Sequence, residues 1–275
     1  MENILSDLSP EKLIRATEEN LFAWVPIFGR LGQACWDNPP GVKRSITHLP
    51  FSLFNSVMDA RLVPEQTDAA IQSIISDARA RNVPILWWIS PSTRPADLAK
   101  RLENNGFTFD ETSPGMAVDL EKLNQTTPQP TGFSIQLAQG DAAWRQWSIV
   151  MGQGFGAATV NELSVHAWCS LLAQHPQIML AYTGWLDNQP VSAALLFLAA
   201  GVAGIYCVAT IPEARRKGIG TFTTLHPLIQ ARSMGYRIGV LQSSEMGLGV
   251  YRGLGFVENC QIDSYIWRPE KSTAG

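Results

Sequence analysis

The feature that most constrains the fold is a strand, a cationic glycine loop and a helix in immediate succession. An apolar stretch at 204–210 reads GIYCVAT, and IPEARRKGIGT follows it at 211–221. Glycine lets the backbone turn tightly and approach a ligand closely, because a Cβ at such a position would clash. The helix that follows presents unpaired N–H groups and the positive end of its dipole, and both favour a phosphate. The sequence therefore predicts a diphosphate-binding loop.

The spacing excludes two common phosphate loops. No G-x-x-x-x-G-K-[ST] run is present, and no G-x-G-x-x-G follows the strand. The spacing that is present is Arg215-x-x-Gly218-x-Gly220, and Tyr251-Arg-Gly-Leu-Gly-Phe256 comes later in the chain. In this order the two segments resemble the Q/R-x-x-G-x-G/A loop and the Y-x-x-x-G-F segment of the GNAT acetyltransferases. The resemblance covers roughly Phe133 to Trp267.

The resemblance implies that the chain binds acetyl-CoA. In the family, loop amides hold the pyrophosphate, and the strand before the loop parts from its neighbour so that its amides pair with the pantetheine arm and polarise the thioester carbonyl. Tyr251 would be the catalytic acid toward the departing thiolate. The cofactor-binding residues implied are Val208, Ala209, Thr210, Arg215, Arg216, Lys217, Gly218, Ile219, Gly220, Thr221 and Ser244.

Three positions depart from the family pattern. Many members carry a glutamate in the strand before the loop, but 204–210 contains no carboxylate. Ser244 stands where an asparagine is frequent, and Pro227 lies inside the helix after the loop, where proline costs about 3 kcal/mol and predicts a kink. No general base is assigned, because the candidate carboxylates have no positional argument. These candidates are Glu162, Glu213 and Glu245.

The chain length of 275 residues favours two domains. The stretch 121–132 has two prolines, polar neighbours and no apolar period, which is typical of a linker. Aligning Gly106-Phe107 with Gly255-Phe256 places Leu102 opposite Tyr251, and the segment 60–66 has no glycine and one cation. We therefore expect an α/β (α+β mixed sheet) fold with two tandem GNAT-like domains, of which the N-terminal one is degenerate. The predicted ranges are 1–124 for this domain, 125–132 for the linker and 133–275 for the acetyltransferase domain.

Hydrophobic periodicity and capping residues predict the secondary structure. Helices are expected from Pro10, at 65–81, 96–104, from Asp141, from Asn161, from the loop to Ser233 and at 246–254. Strands are expected at 42–48, 54–62, 84–90, 116–120, 133–137, 177–185, 191–197, 204–210, 237–242, 257–263 and 265–267. The stretch Gly152–Gly156 reads as a flexible turn that could gate a pocket, and most tryptophans before the loop are expected to be core.

Charge and cysteine content narrow the class of protein. The net charge is −3 with 45% hydrophobic residues, so there is no field for capturing DNA, RNA or an anionic membrane. The four cysteines include no C-x-x-C pair and the four histidines show no metal-ligand spacing, so neither zinc nor a disulfide framework is predicted. The N-terminus lacks the basic start and apolar core of a signal peptide, and we expect a cytoplasmic protein.

One apolar stretch allows two interpretations. From Val191 to Ile211 there are 21 residues without a charge, which is long enough for a membrane helix with a positive flank at 215–217. Gly201 and Gly204 interrupt the run in its middle, as a β-hairpin requires. We favour two buried strands joined by a tight turn.

The sequence therefore predicts an N-acetyltransferase that transfers acetyl from acetyl-CoA to a primary amine by direct attack in a ternary complex, without a metal. The acceptor is expected to be a small molecule, because no acidic groove for a basic protein tail can be read. Two alternatives stay open: a CoA-binding sensor or scaffold without turnover, and an acyltransferase with another donor. The sequence leaves the oligomeric state, including a homodimer, open.

Overall fold

The computed structural model describes residues 4–32, 34–37 and 41–270. This part of the chain forms eight α-helices and eleven β-strands. The helices are α1 (Pro10–Phe22), α2 (Trp24–Phe28), α3 (Thr67–Arg81), α4 (Leu98–Asn104), α5 (Asp141–Gly154), α6 (Glu162–Gln174), α7 (Ile219–Ser233) and α8 (Leu248–Leu254). The strands are β1 (Cys35–Asp37), β2 (Lys43–Ile46), β3 (Ser56–Met58), β4 (Ile85–Ile89), β5 (Thr108–Asp119), β6 (Phe133–Leu137), β7 (Met179–Leu186), β8 (Gln189–Ala199), β9 (Val202–Thr210), β10 (Ile238–Gln242) and β11 (Val257–Trp267).

The chain divides into two compact units, and each unit is built from two segments of sequence. The first unit contains the residues up to Leu21 and Pro114–Asn259. The second contains Phe22–Ser113 and the residues from Cys260 onward. The predicted linker at 125–132 lies inside the first unit. The two compact units are therefore not separated by one boundary in the sequence. The domain ranges 1–124 and 133–275 stay a prediction.

The first unit contains a six-stranded mixed sheet in the order β5–β10–β9–β8–β7–β6. Only β9 and β10 run parallel; the other neighbours are antiparallel. Successive residues of a strand point to opposite faces. Ala203 and Ile205 pack with Leu228 of α7, whereas Val202 packs with Ala16 of α1.

The second unit has the corresponding strand order β1–β2–β3–β4–β11–β5, with β3 and β4 parallel. Helix α3 packs its apolar stripe into the core of this unit beside the fully buried Trp87. The stripe is Ile71, Ile74, Ile75 and Ala78. Its helical spacing in the sequence predicted this buried face.

Each sheet is completed by a strand from the other half of the sequence. In the first unit β10 pairs on its outer side with β5, through Ile238 opposite Asp119. In the second unit β4 pairs with β11, through Ile89 opposite Asp263. The strand expected at 116–120 begins at Thr108, and the two expected closing strands are the single strand β11. The reason is that the partners of these strands are distant in the sequence, and a local pattern does not register them.

The internal repeat seen in the sequence has matching local geometry. Both α4 and α8 are followed within two residues by a glycine with positive φ, 86° at Gly106 and 99° at Gly255. The amide of Phe107 donates to the carbonyl of Leu102 at 3.0 Å, and that of Phe256 donates to Tyr251 at 3.0 Å. The same helix-ending hydrogen bond therefore occurs at both positions.

The uncharged stretch 191–211 forms the antiparallel hairpin β8–β9. Its turn is made by Ala200 and Gly201, whose φ angles are 55° and 71°. This pair of left-handed residues is typical of a tight hairpin. Among the described residues no helix is both long enough and apolar enough to cross a membrane.

Helix α1 fixes this hairpin from the first unit's own N-terminal segment. The side-chain amide of Asn20, which is fully buried, donates to the carbonyl of Ala199 at 2.9 Å and accepts from the hydroxyl of Tyr206 at 2.8 Å. A Cβ on Gly204 would lie 2.1 Å from Asn20 Oδ1, so this strand position has room only for glycine.

We expect Asn20→Ala to lower the free energy of unfolding by about 2–4 kcal/mol, because it removes the buried hydrogen bonds that Asn20 makes with Tyr206 and Ala199. The measurement is the urea midpoint with an unchanged m-value. The matched control is Asn124→Ala, which removes an exposed amide that donates to the carbonyl of Gly253 at 2.9 Å and accepts from the amide and the hydroxyl of Thr126. Equal small losses for both variants would contradict the role given to Asn20.

Candidate functional site

The site begins where the two parallel strands of the first unit part. The register of β10 with β9 consists of Gly239 opposite Ala203 and Val240 opposite Gly204. Strand β9 nevertheless continues to Thr210 and β10 continues to Gln242. Beyond Gly204 the side of β9 that faces away from β8 therefore has no partner strand among the described residues. Backbone groups in such a position require another hydrogen-bonding partner.

A β-bulge lies in the part of β9 that no longer pairs with β10. Ala193 is opposite Ala209 and Leu195 is opposite Tyr206, so two residues of β9 face the single residue Ala194. Within this bulge Cys207 has a φ of 52°, which is an uncommon conformation for a residue with a side chain. The carbonyl of Ala194 accepts a hydrogen bond from the indole N–H of Trp147 at 3.0 Å, which satisfies a polar group beside the disrupted ladder.

The loop after β9 turns through a 3₁₀ turn at Pro212–Ala214 into the start of α7. Arg216 and Gly218 both have positive φ, 60° and 76°. Among the described residues, none of the N–H groups from Arg216 to Gly220 donates to a backbone acceptor. Free N–H groups at a helix N-terminus favour an anion. Apart from backbone amides, this loop offers the charges of Arg216 and Lys217, whose side chains are exposed.

The two glycines of the loop serve different purposes. Gly218 needs its left-handed conformation to begin α7. At Gly220 the backbone is helical, and an added Cβ would meet only Thr210 Oγ1, at 3.9 Å. The protein's own packing therefore does not demand glycine at 220, and the residue leaves open space beside the free amides. The open amides, the exposed cations and this space fit the diphosphate of coenzyme A.

Arg215 differs from its two cationic neighbours. Its Nε donates to the carbonyl of Thr210 at 3.0 Å and its Nη2 donates to the carbonyl of Gly154 at 2.8 Å. The guanidinium is therefore engaged with the protein's backbone. A charge contribution of Arg215 to phosphate binding stays a prediction.

Helix α7 continues through Pro227 to Ser233, as predicted from the sequence. The missing N–H of Pro227 falls two turns after Ile219, so the end of the helix that could bind a phosphate keeps its geometry. Thr223 stabilises this first part: its hydroxyl bonds the carbonyl of Ile219 at 2.9 Å and lies 2.7 Å from the hydroxyl of Ser192.

Tyr251 lies on α8 and is buried, with 8% of its surface exposed. Its ring packs against Gly247, where an added Cβ would come within 2.6 Å, and edge-on against Phe256 at 6.0 Å. Burial raises the pKa of the phenol to about 12. The hydroxyl makes no hydrogen bond within the described residues, and it stays protonated at neutral pH.

The remaining predicted residues are placed as follows. Ser244 is exposed after β10, and its Oγ accepts from the amide of Gly247 at 3.3 Å, so its bond to a pantetheine arm stays a prediction. Glu162 is paired with Arg145 at 2.6 Å. Glu213 and Glu245 are exposed. No metal-binding group of side chains occurs in the described ranges.

The expected flexible turn at Gly152–Gly156 is wrong in its first half. Residues 152–154 form the last turn of α5. A Cβ on Gly154 would lie 2.6 Å from the Cβ of Ala209, so glycine here lets the helix contact β9 closely. Three glycines in a short stretch suggested a turn, but Gly152 and Gly154 serve packing. Trp147 and Trp168 are buried in edge-on contact at 5.6 Å, which confirms their core role, whereas Phe155 is 66% exposed.

The equivalent position in the second unit is closed. The parallel pair β3–β4 has the registers Ser56 opposite Leu86 and Val57 opposite Trp87, and then it also ends. Here the chain fills the gap with its own backbone, since the amide of Leu62 donates to Arg94 at 3.1 Å and the amide of Arg94 donates to Ala60 at 2.8 Å. A 3₁₀ turn at Pro64–Gln66 replaces the glycine loop.

Comparison with solved structures identifies this architecture. A GCN5-related N-acetyltransferase from Kribbella flavida matches with a TM-score of 0.71 and 18% identity, covering 93% of this chain and 97% of that one. A GCN5-related N-acetyltransferase from Sphaerobacter thermophilus matches with a TM-score of 0.60 and 16% identity over 97% of this chain and 95% of that one. A tandem GNAT protein from the clavulanic acid biosynthesis pathway matches with a TM-score of 0.59 and 12% identity over 98% of both chains.

The fold is thus that of the GNAT acetyltransferases, in the mixed α/β, tandem arrangement expected from the sequence. No protein-family model matches the sequence, and no curated protein does so either. At these identities the comparisons establish the fold alone.

We expect Gly220→Val to leave the free energy of unfolding within about 1 kcal/mol of the wild type, because the new side chain meets open space in the protein. The same variant should weaken CoA binding at least tenfold, because the valine methyl groups would enter the space beside the free amides. Calorimetry with CoA and urea denaturation measure the two effects. Gly253→Val, another helical glycine with open space around it, is the matched control.

We expect one CoA to bind per chain, because the second unit's gap is filled by the segment around Arg94. Isothermal titration of the full chain with CoA measures the stoichiometry. Saturation at two equivalents would show that the hydrogen bonds of Leu62 and Arg94 do not close the second unit's site.

Proposed function

We propose that this protein is an acetyl-CoA-dependent N-acetyltransferase that acts on a primary amine of a small-molecule acceptor. The observation that carries the proposal is the parting of β9 from β10 beside an open, cationic helix N-terminus. This combination leaves unpaired amides along an extended strand and at a helix start, in the same unit. A thioester linked to a diphosphate carries carbonyl and phosphate oxygens, which can accept hydrogen bonds from these amides.

In this proposal the free amides from Arg216 to Gly220 bind the diphosphate, and Arg216 and Lys217 add charge at the solvent side. The predicted Thr221 amide instead donates to the carbonyl of Gly218 at 3.1 Å. The amides of Val208 and Thr210, with Ala209 between them, bind the pantetheine arm and orient the thioester carbonyl. Bound acetyl-CoA supplies an activated acyl group. An amide aimed at the developing oxyanion is worth about 3–4 kcal/mol of barrier.

Tyr251 is proposed to donate its proton toward the departing sulfur. With a pKa raised to about 12, the phenol is a weaker acid than an ordinary tyrosine. Complete transfer to a thiolate of pKa about 8.5 would be unfavourable by about 5 kcal/mol. We therefore assign Tyr251 a hydrogen bond to the sulfur in the transition state, with the proton of the attacking amine available to complete neutralisation of the thiolate.

Direct attack is favoured over a covalent relay through cysteine. Cys207 lies in the bulge of β9, and burial raises the pKa of its thiol to about 12. The thiolate is the nucleophilic form, and at neutral pH it is nearly absent at such a pKa. A ternary complex of donor and acceptor therefore fits this bulge better than an acylated cysteine.

The acceptor is proposed to be a small molecule, and nucleic acid and membrane are proposed not to be partners, since the net charge of −3 gives no field for polyanions. A cytoplasmic location is proposed on the same composition. A donor other than acetyl-CoA would be revealed by comparing acetyl-, succinyl- and longer acyl-CoA affinities.

A CoA-binding sensor is the second candidate. The observations that favour it are the absence of a carboxylate in 204–210 and the high pKa of Tyr251. Measuring the release of free CoA from acetyl-CoA in the presence of a panel of amines distinguishes the enzyme from the sensor. A sensor would bind acetyl-CoA without cleaving its thioester.

We expect Tyr251→Phe to lower kcat by about 10²-fold while the Kd for CoA changes less than about twofold. The unfolding free energy should change by less than about 1 kcal/mol, because no hydrogen bond of the phenol is lost. Tyr265→Phe, a buried tyrosine of the second unit, is the matched control. An unchanged kcat for Tyr251→Phe would remove this residue from the mechanism.

The pH dependence of kcat follows from the proposal that the protonated phenol of Tyr251 is the active form. A pKa raised from 10 to about 12 moves its ionisation to higher pH, so Tyr251 should cause no loss of kcat up to pH about 10. A wild-type profile that falls with a midpoint near pH 9, and loses that midpoint in Tyr251→Phe, would contradict the buried phenol.

A further inference from the structure

The guanidinium of Arg215 connects two structural elements of the site. It bonds the carbonyl of Thr210, the last residue of β9, and the carbonyl of Gly154, the last residue of α5. Arg215 itself belongs to the loop whose amides were assigned to the diphosphate. One side chain therefore links this loop, the end of β9 and the end of α5.

The end of α5 is also in close contact with β9. An added Cβ on Gly154 would lie 2.6 Å from Ala209 Cβ and 3.0 Å from the amide nitrogen of Thr210. Carbonyls of a helix's last turn have no intrahelical donor and carry partial negative charge. A guanidinium satisfies such a carbonyl well, and its planar fork can bond a second carbonyl at the same time, whereas an ammonium group lacks this geometry.

The same turn of α5 organises residues 155–161, which we call the α5–α6 connection. The first three amides of the connection donate to carbonyls of the last turn of α5. These bonds run from Phe155 to Met151, from Gly156 to Gln153 and from Ala157 to Gly152. Val160 returns to the same turn, because an added Cβ on Gly152 would meet its Cγ2 at 2.9 Å. A shift of this turn would therefore move the connection.

We propose that Arg215 is a positioning residue that couples occupation of the diphosphate loop to the order of the α5–α6 connection. A diphosphate on the loop amides holds the loop, the loop holds Arg215, and Arg215 holds the end of α5 against β9. By linkage, a well-ordered connection then favours diphosphate binding by the same factor. The coupling rests on the proposed function, in that the loop ligand is CoA.

Hydrogen exchange measured by mass spectrometry tests the coupling on the full chain, with CoA as the ligand. The test variant is Arg215→Lys, which keeps the charge and loses the fork. The matched control is Arg216→Lys, the same change at the next residue, whose side chain is exposed. Peptides covering 152–161 report the connection, and peptides covering 216–221 report the loop.

Without CoA, we expect Arg215→Lys to exchange at least about fivefold faster than wild type at 155–157, and Arg216→Lys to exchange as wild type does. With CoA, both segments of the wild type should become protected. In Arg215→Lys the loop should still be protected, while 155–157 should lose at least about four-fifths of its CoA-induced protection.

Wild-type exchange at 155–157 equal to that of Arg215→Lys, or CoA-induced protection of 155–157 that survives in Arg215→Lys, would overturn the coupling while CoA binding stands. Absence of protection anywhere in the wild type at millimolar CoA would instead overturn the proposed function. A CoA affinity that falls equally in Arg215→Lys and Arg216→Lys, with exchange at 155–157 unchanged, would show that the Arg215 guanidinium does not act through the end of α5 and would overturn the coupling as well.

Discussion

The site depends on the point inside the sheet at which the parallel strands β9 and β10 stop pairing. After two residue pairs, β9 leaves β10, and the bulge at Cys207 turns its backbone further from the regular ladder. Backbone N–H and C=O groups away from water need partners. In the first unit some backbone groups of β9 lack a partner strand on the side of β10 among the described residues. They lie in the strand that leads into the glycine loop and the N-terminus of α7, where free amides favour an anionic ligand.

The second unit solves the same problem with its own chain. Its parallel pair also ends after two residue pairs, but the backbone of Arg94 occupies the gap and bonds Ala60 and Leu62. The start of α3 carries a proline turn and Asp68 in place of glycines and cations. One supersecondary motif can therefore become a ligand site or a closed structural element, and the difference lies in which groups complete the backbone hydrogen bonding.

The open site depends on residues far away in the sequence. Asn20 of α1 bonds the hairpin next to the bulge, Trp147 of α5 bonds the carbonyl opposite the bulge, and β5 forms the outer neighbour of β10. A segment limited to 133–275 contains neither α1 nor β5. Each sheet takes a strand from the other half of the chain, which explains why a clear linker in the sequence does not separate the compact units.

The sequence by itself determined the elements and the order of the site: the hairpin at 191–211, the loop from Arg215 to Gly220, helix α7 with its end at Ser233, and the repeat that matches Leu102 with Tyr251. Those features are local, because turn residues, caps and hydrophobic period act within a few positions. Only the tertiary structure decided the exchange of β5 and β11, the packing use of Gly152 and Gly154, the raised pKa of Tyr251, and the engagement of Arg215 with Thr210 and Gly154. These depend on burial and on backbone contacts between segments distant in the chain, and no periodicity in the sequence records them.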